Sequence, residues 1–244
     1  MRETAVIFRR ELKSYFLSPI AYVFGVLFLG ILLYLAARSQ LVHGQQASMQ
    51  GFFGLLPMVF LFFLPGLTMR LWAEERRSGT LELLMTFPVR IGHLISGKFF
   101  AALAFLAVML LLTLGLPLTL WAHGSLDWGP VVGAYLASLL LAGSYLAVGM
   151  FWSSTTRDQI VALLLALVSL LVLYAIGYPA VTEWIAGFLP SAVVDLLSGI
   201  SPHQYFNSIS RGVFDTRDFV YYLCFCGFFL HANAMVLHSR RQKG

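Results

Sequence analysis

The chain has 244 residues, of which 59% are hydrophobic and 11% charged, with a mean hydropathy of +0.82; soluble globular domains carry roughly 25% charged residues. These proportions exclude a water-soluble domain and define an integral membrane protein, its length taken up by spans of roughly 20 apolar residues each. The net charge of +5 does not indicate nucleic acid as a partner, because its placement along the chain reads as a topology signal.

The first seventeen or so residues place Ala5, Phe8, Leu12, Tyr15 and Phe16 at helical spacing, with Arg9, Arg10 and Lys13 on other faces. That pattern predicts a basic amphipathic helix at about 3–17 lying on the membrane surface, ended by Pro19. A basic leader of this length followed by a span-length apolar run exceeds the pattern of a cleaved signal peptide. Six apolar segments then follow, at roughly 20–37, 52–72, 99–121, 130–152, 159–179 and 218–238. Pro57 and Pro65 in the second each remove a backbone hydrogen bond and predict kinks. Lys98 reads as an interfacial anchor at the start of the third. In the fourth, Gly133 with Ala137 and Gly143 with Ala147 let helices approach closely, either within one chain or at a subunit interface. The loop at about 180–217 contains "VTEWIAGFL" and "SAVVDLLSGI", runs too short to span and separated by Pro190; such runs lie at the interface or dip in and return, as a lid on the outer face. The expected fold is an all-α polytopic membrane protein forming one transmembrane domain over 1–244.

Six spans return the chain to its starting side. Thirteen of the sixteen Lys and Arg residues fall on that side, in the leader, the second-to-third connection, the turn holding Arg157 and the tail, while Arg38, Arg211 and Arg217 fall on the other. The positive-inside rule therefore places both termini and the Glu74 to Val89 stretch in the cytoplasm.

Several chemistries fail on inspection. "GHLISGKF", Gly92 to Phe99, has the glycines and lysine of a phosphate-binding loop, but Phe99 stands where a hydroxyl would hold Mg²⁺, and no strand precedes it. There is no H-E-x-x-H, no G-x-S-x-G and no metal-ligand spacing; His231 and His238 are seven residues apart with no third partner near them, and His231 and Asn233 read as satisfied polar contacts. Cys224 and Cys226, two apart on a helix, point about 200° apart, so they neither bridge each other nor form a copper site. No acidic residue interrupts the apolar cores, so the chain carries no visible ion-coupling site. Catalytic residues, cofactors and metals are therefore not expected on this chain.

The informative stretch is "EERRSGTLELLMTFPV", Glu74 to Val89. Glu74, Glu75, Arg76 and Arg77 close the second span, Ser78 and Gly79 permit a sharp turn, and Thr80 can cap a short helix with Glu82 in its first turn. Leu81, Leu84 and Met85 share one face of that helix, Leu83 and Phe87 another, and Pro88 ends it near Phe87. Such a helix is too short to span. It either rests on lipid or presents its apolar side chains to a cytoplasmic partner, and spacing alone leaves both open.

"MRLWAEERRSGTLELLMTFPV" resembles the second-to-third connection of type-2 ABC exporter permeases, most closely the gliding-motility and nitrous-oxide-reductase-maturation branch. The leader "FRRELKSYFLSPIAYV" and the stretch "SPHQYFNSISRGVFDTRDFVYYL" are similar to the same family. The resemblance implies that about 80–87 forms a coupling helix docking into a separate ATPase subunit. The contact residues would be Glu74, Glu75, Arg76, Arg77, Gly79, Thr80, Glu82, Leu84 and Met85. It further implies two ATPase copies that hold ATP and Mg²⁺, a second permease copy forming a homodimer, outer re-entrant helices within 180–217, and export by alternating access. A mechanical transmitter passing ATPase-driven movement to a periplasmic auxiliary protein, with no solute crossing, is the alternative. The transported substrate is not encoded in any feature of these residues.

Overall fold

A computed structural model describes residues 2–42, 49–81, 90–123, 126–188 and 190–241. Among the described residues the chain is helical, without strands. In chain order the helices are α1 (Arg2–Leu17), α2 (Pro19–Val42), α3 (Gln50–Thr68), α4 (Arg70–Arg77), α5 (Ile91–Leu112), α6 (Gly115–His123), α7 (Trp128–Thr155), α8 (Gln159–Ile176), α9 (Pro179–Ala186), α10 (Ser191–Gly199), α11 (Pro202–Ser210) and α12 (Thr216–Arg241). Six stretches are long and apolar enough to cross a membrane: Ala21–Arg38, Gln50–Arg77, Ile91–Ala122, Trp128–Thr155, Gln159–Ile176 and Thr216–Ser239.

Local chemistry sets the helix ends. The Asp127 carboxylate accepts the Gly129 amide at 3.1 Å and opens α7, and Asp158 does the same for the Ile160 amide at 2.8 Å and opens α8. Each satisfies one of the orphan donors of a first turn. Proline occupies the first position of α2, α9 and α11, where its missing N–H costs no helical bond. The expected kinks at Pro57 and Pro65 do not interrupt α3, which runs through both. The break comes at Met69, whose amide donates to the Pro65 carbonyl at 2.9 Å.

Helix α7 is the axis of the bundle. Its residues from Leu141 to Met150 are all buried, and it packs against α3, α4, α5, α8, α11 and α12. With lipid tails as apolar as leucine, close packing rather than water expulsion holds such helices together, and small residues permit it. A Cβ on Gly149 would lie 2.1 Å from Thr68 Oγ1, and one on Gly133 would lie 2.7 Å from the Ile209 carbonyl oxygen. Gly143 faces Phe99, Leu103 and Cys226 of α5 and α12, and Ala137 and Ala147 are fully buried. The small residues of the fourth span thus serve packing within the chain.

The two ends of the bundle differ. The end holding α1, α4, the α7–α8 turn and the end of α12 carries most of the basic residues and is called the basic face below. At the opposite face α11 is inserted, with Phe206 and Ile209 buried, whereas α9 and α10 bury no residue at all. Along α8, Ile160, Val161, Leu164, Val168, Leu171 and Val172 are exposed, and α2 exposes Val23, Val26, Leu27 and Ile31.

Candidate functional site

The stretch singled out in the sequence begins as α4 and leaves the basic face of the bundle. The break at Met69 strands the amides of α4's first turn, and an element far away in sequence captures them. Ser153, near the end of α7, accepts hydrogen bonds from the Trp72 amide at 3.0 Å and the Ala73 amide at 3.2 Å, and its hydroxyl donates to the Met69 carbonyl at 3.0 Å. One donor and two lone pairs are the whole capacity of a serine hydroxyl, so Ser153 is a complete clip across the break. Arg76 adds a second tie, donating to the Ser154 carbonyl at 3.0 Å.

Beneath the clip lies an ionic node. Lys98, on α5, is only 2% exposed and so is not the interfacial anchor its position suggested. Its ammonium lies 2.7 Å from Glu75 Oε1 of α4 and 3.3 Å from Glu11 Oε1 of α1, and 5.1 Å from the centre of the Trp72 ring. Arg10 joins at 3.5 Å from Glu11. A desolvated ammonium costs several kcal/mol and persists only when paired with good geometry; here the pairing draws three helices to one point. Helix α1 is seated on α5 by further contacts. A Cβ on Gly97 would come within 2.7 Å of the Ile7 side chain, Tyr15 stacks on Phe105 with ring centres 5.2 Å apart, and His93 Nδ1 meets Glu3 Oε2 at 2.9 Å. That hydrogen bond holds the Glu3 carboxyl below its ordinary value, and burial pushes the Tyr15 phenol up. The amphipathic leader is therefore packed against α5.

Beyond Arg77 the chain turns. Gly79 has φ +72°, in the left-handed region that favours glycine. The Thr80 hydroxyl points back, donating to the Glu75 carbonyl at 3.3 Å and meeting the Ser78 hydroxyl at 2.8 Å. The residues expected to contact a partner divide accordingly. Glu74, Arg77, Gly79 and Thr80 are exposed, Glu75 and Arg76 are half-buried and bonded inward, and Leu81 is buried. Glu82, Leu84 and Met85, with the rest of the expected coupling helix, lie outside the described residues. The arm is thus fastened to α1, α5 and α7 at its root and exposes charge at its tip.

Sequence reasoning did not find Ser153, Glu11 or the role of Lys98. For the serine no signal exists, since its partners are about eighty residues away. For the lysine a signal existed, because a charge inside an apolar helix demands a named counter-charge.

The opposite face has its own polar arrangement. Ser201 caps α11 and donates to the Leu173 carbonyl at 2.6 Å, wedged against Gly177. His203 is buried between the Tyr174 ring, 4.7 Å away, and Phe206, and burial lowers its pKa from 6.5. The Tyr222 hydroxyl donates to the Pro202 carbonyl at 2.7 Å, and Tyr221 bonds the Ile200 carbonyl.

Six spans around a buried small-residue axis, with a fastened arm on one face, define a multi-pass helical membrane protein. Residues 6–237 match the family model of ABC-2 family transporter proteins. That is nearly the entire chain, and the chain belongs to this family. It is accordingly the membrane permease component of an ABC transporter, the type of subunit that is not itself catalytic and that associates with an ABC ATPase. No curated protein matches the chain.

Proposed function

We propose that this permease is the exporting membrane subunit of an ATP-driven system in the inner membrane of a bacterium, with both termini and the arm in the cytoplasm. The observation that carries the reading is the arm itself. Exposed Arg77, Ser78, Gly79 and Thr80 follow directly on a root bonded through Ser153 to α7 and through Lys98 to α1 and α5, so force applied there acts on three helices together. The skew of Lys and Arg toward that face supports its cytoplasmic placement. In this account residues 80–87 form the coupling helix seated in the ATPase, two ATPases bind ATP and Mg²⁺, and two copies of the chain form the pathway between them. Closure of the ATPases tilts the spans as rigid bodies and alternates inner and outer gates, with the α9 to α11 segment as the outer gate. The likeness of the arm, the leader and the 201–223 stretch supports the gliding-motility and nitrous-oxide-reductase-maturation branch as the one to which this permease is closest.

One observation favours transmission without solute transport as a second reading. The free faces of α8 and α2 present aliphatic side chains; a dimer closed on them is sealed and carries no polar route.

The test of coupling uses the permease with its ATPase in vesicles. Glu82→Arg and Met85→Asp are expected to insert normally, yet to abolish the effect of the permease on ATP hydrolysis, a loss of about tenfold or more, as for a deleted interface anchor. Unchanged coupling in both variants would overturn the proposal.

A further inference from the structure

On the basic face a cleft of about 440 Å³ opens between α1, the first turns of α2, the end of α3 and α4, within the ~300–1,000 Å³ of small-molecule sites. Its composition is graded. One end is apolar, lined by Phe24, Gly66 and Leu67; the other gathers Arg10, Arg70 and Lys98 with Glu11, Glu74 and Glu75. Gly66 is required there, since a Cβ would lie 2.7 Å from the Phe24 ring.

Three buried polar atoms on residues of this wall have no hydrogen-bond partner: the Tyr15 hydroxyl, Arg70 Nε and Glu75 Oε2. Buried polar groups are nearly always paired, and an orphan marks strain or a missing partner. Here two donors and an acceptor are orphaned on residues that line one cavity. Three cations facing three carboxylates make the wall formally neutral. A simple anion meets the carboxylates and a simple cation meets the guanidinium groups, whereas a molecule carrying both a phosphate and an ammonium satisfies the two sets together.

Depth identifies the source. Ala21 and Phe24 stand in the first turns of the first span, and Gly66, Leu67 and Arg70 in the last turns of the apolar part of the second, the level of lipid headgroups on that side. We propose that the cleft binds the headgroup of a zwitterionic aminophospholipid from the adjacent leaflet. Its phosphate takes Arg70, Arg10 and the Tyr15 hydroxyl, its ammonium takes Glu75 Oε2 and Glu74, and its acyl chains leave past Phe24. Such a lipid bridges α1 to the root of the arm, beside the tie that Lys98 makes. The site is independent of whether the complex exports a solute.

The experiment is native mass spectrometry of the full-length chain, offered phosphatidylethanolamine, phosphatidylglycerol or free phosphoethanolamine. The expected result is one retained phosphatidylethanolamine per chain, with phosphatidylglycerol about tenfold weaker. The double substitution Tyr15→Phe and Arg70→Gln is expected to lower that retention about tenfold, with the melting temperature of the purified protein as its folding control. Equal retention of the two lipids, or retention unchanged by the substitutions, overturns the proposal. Free phosphoethanolamine binding as well as the lipid assigns the cleft to a soluble ligand and overturns the lipid source. Should the variant not fold, a phosphatidylethanolamine with a photoreactive headgroup decides on the unaltered protein. Labelling of the peptides that hold Tyr15 and Arg70 supports the site; labelling confined elsewhere overturns it.

Discussion

Lys98 is the residue on which the basic face turns. A single buried ammonium serves Glu75 and Glu11, whose side chains are 17% and 12% exposed. Lys98→Met leaves two carboxylates beside an apolar side chain, and breaking such a buried pair costs about 3–5 kcal/mol. The double variant Lys98→Met with Glu75→Gln is expected to recover part of that loss, read by thermal unfolding in detergent. Full additivity of the two substitutions would show that the pair is not coupled. At the other face His203 is buried among aromatic rings, which disfavours its charged form and lowers its pKa from 6.5. Below that value the unfolded chain takes up a proton that the folded chain resists, so stability is complete above about pH 6.5 and declines as pH falls toward the lowered folded value. The melting temperature of the native protein is expected to drop between those limits, and that of His203→Phe to drop less. Equal pH profiles would contradict the assignment.

At the scale of elements, α4 exists because α7 completes it. A helix of 8 residues is too short to be stable alone, and two of its first-turn amides donate to Ser153. Ser153→Ala orphans both, with a cost of about 1–3 kcal/mol for each buried donor left unpaired. The expected signature is faster amide exchange confined to 69–77 ahead of any global change; uniform acceleration would mean that the clip is not local. Which elements exist was legible in the sequence, because apolar length is a one-dimensional property: the all-helical class and six span-length helices follow from it directly. How the arm is fastened was not legible. It depends on contacts such as Ser153 with Trp72 and Lys98 with Glu11, pairs about eighty to ninety residues apart, which no local pattern encodes. Helix α3 continues through both of its prolines; a proline removes one hydrogen bond, and how far the helix bends there is set by the packing around it, which no local pattern encodes.

For the whole molecule, the account is one of force transmission through a close-packed bundle. Interiors at crystal-like density deform little, so a displacement applied to α4 is carried by the helices bonded to it rather than absorbed. The central axis α7 meets both the arm, through Ser153 and Ser154, and the inserted helix α11 at the opposite face, where Gly133 sits against the Ile209 carbonyl. The two faces therefore share one rigid element 28 residues long. The central claim, that movement enters at residues 80–87 from an ATPase, has a direct measurement. A photoreactive amino acid replaces Met85 in membranes containing the permease and its ATPase, and the adducts are identified by mass spectrometry. The account predicts adducts with the ATPase; adducts with lipid alone would contradict it.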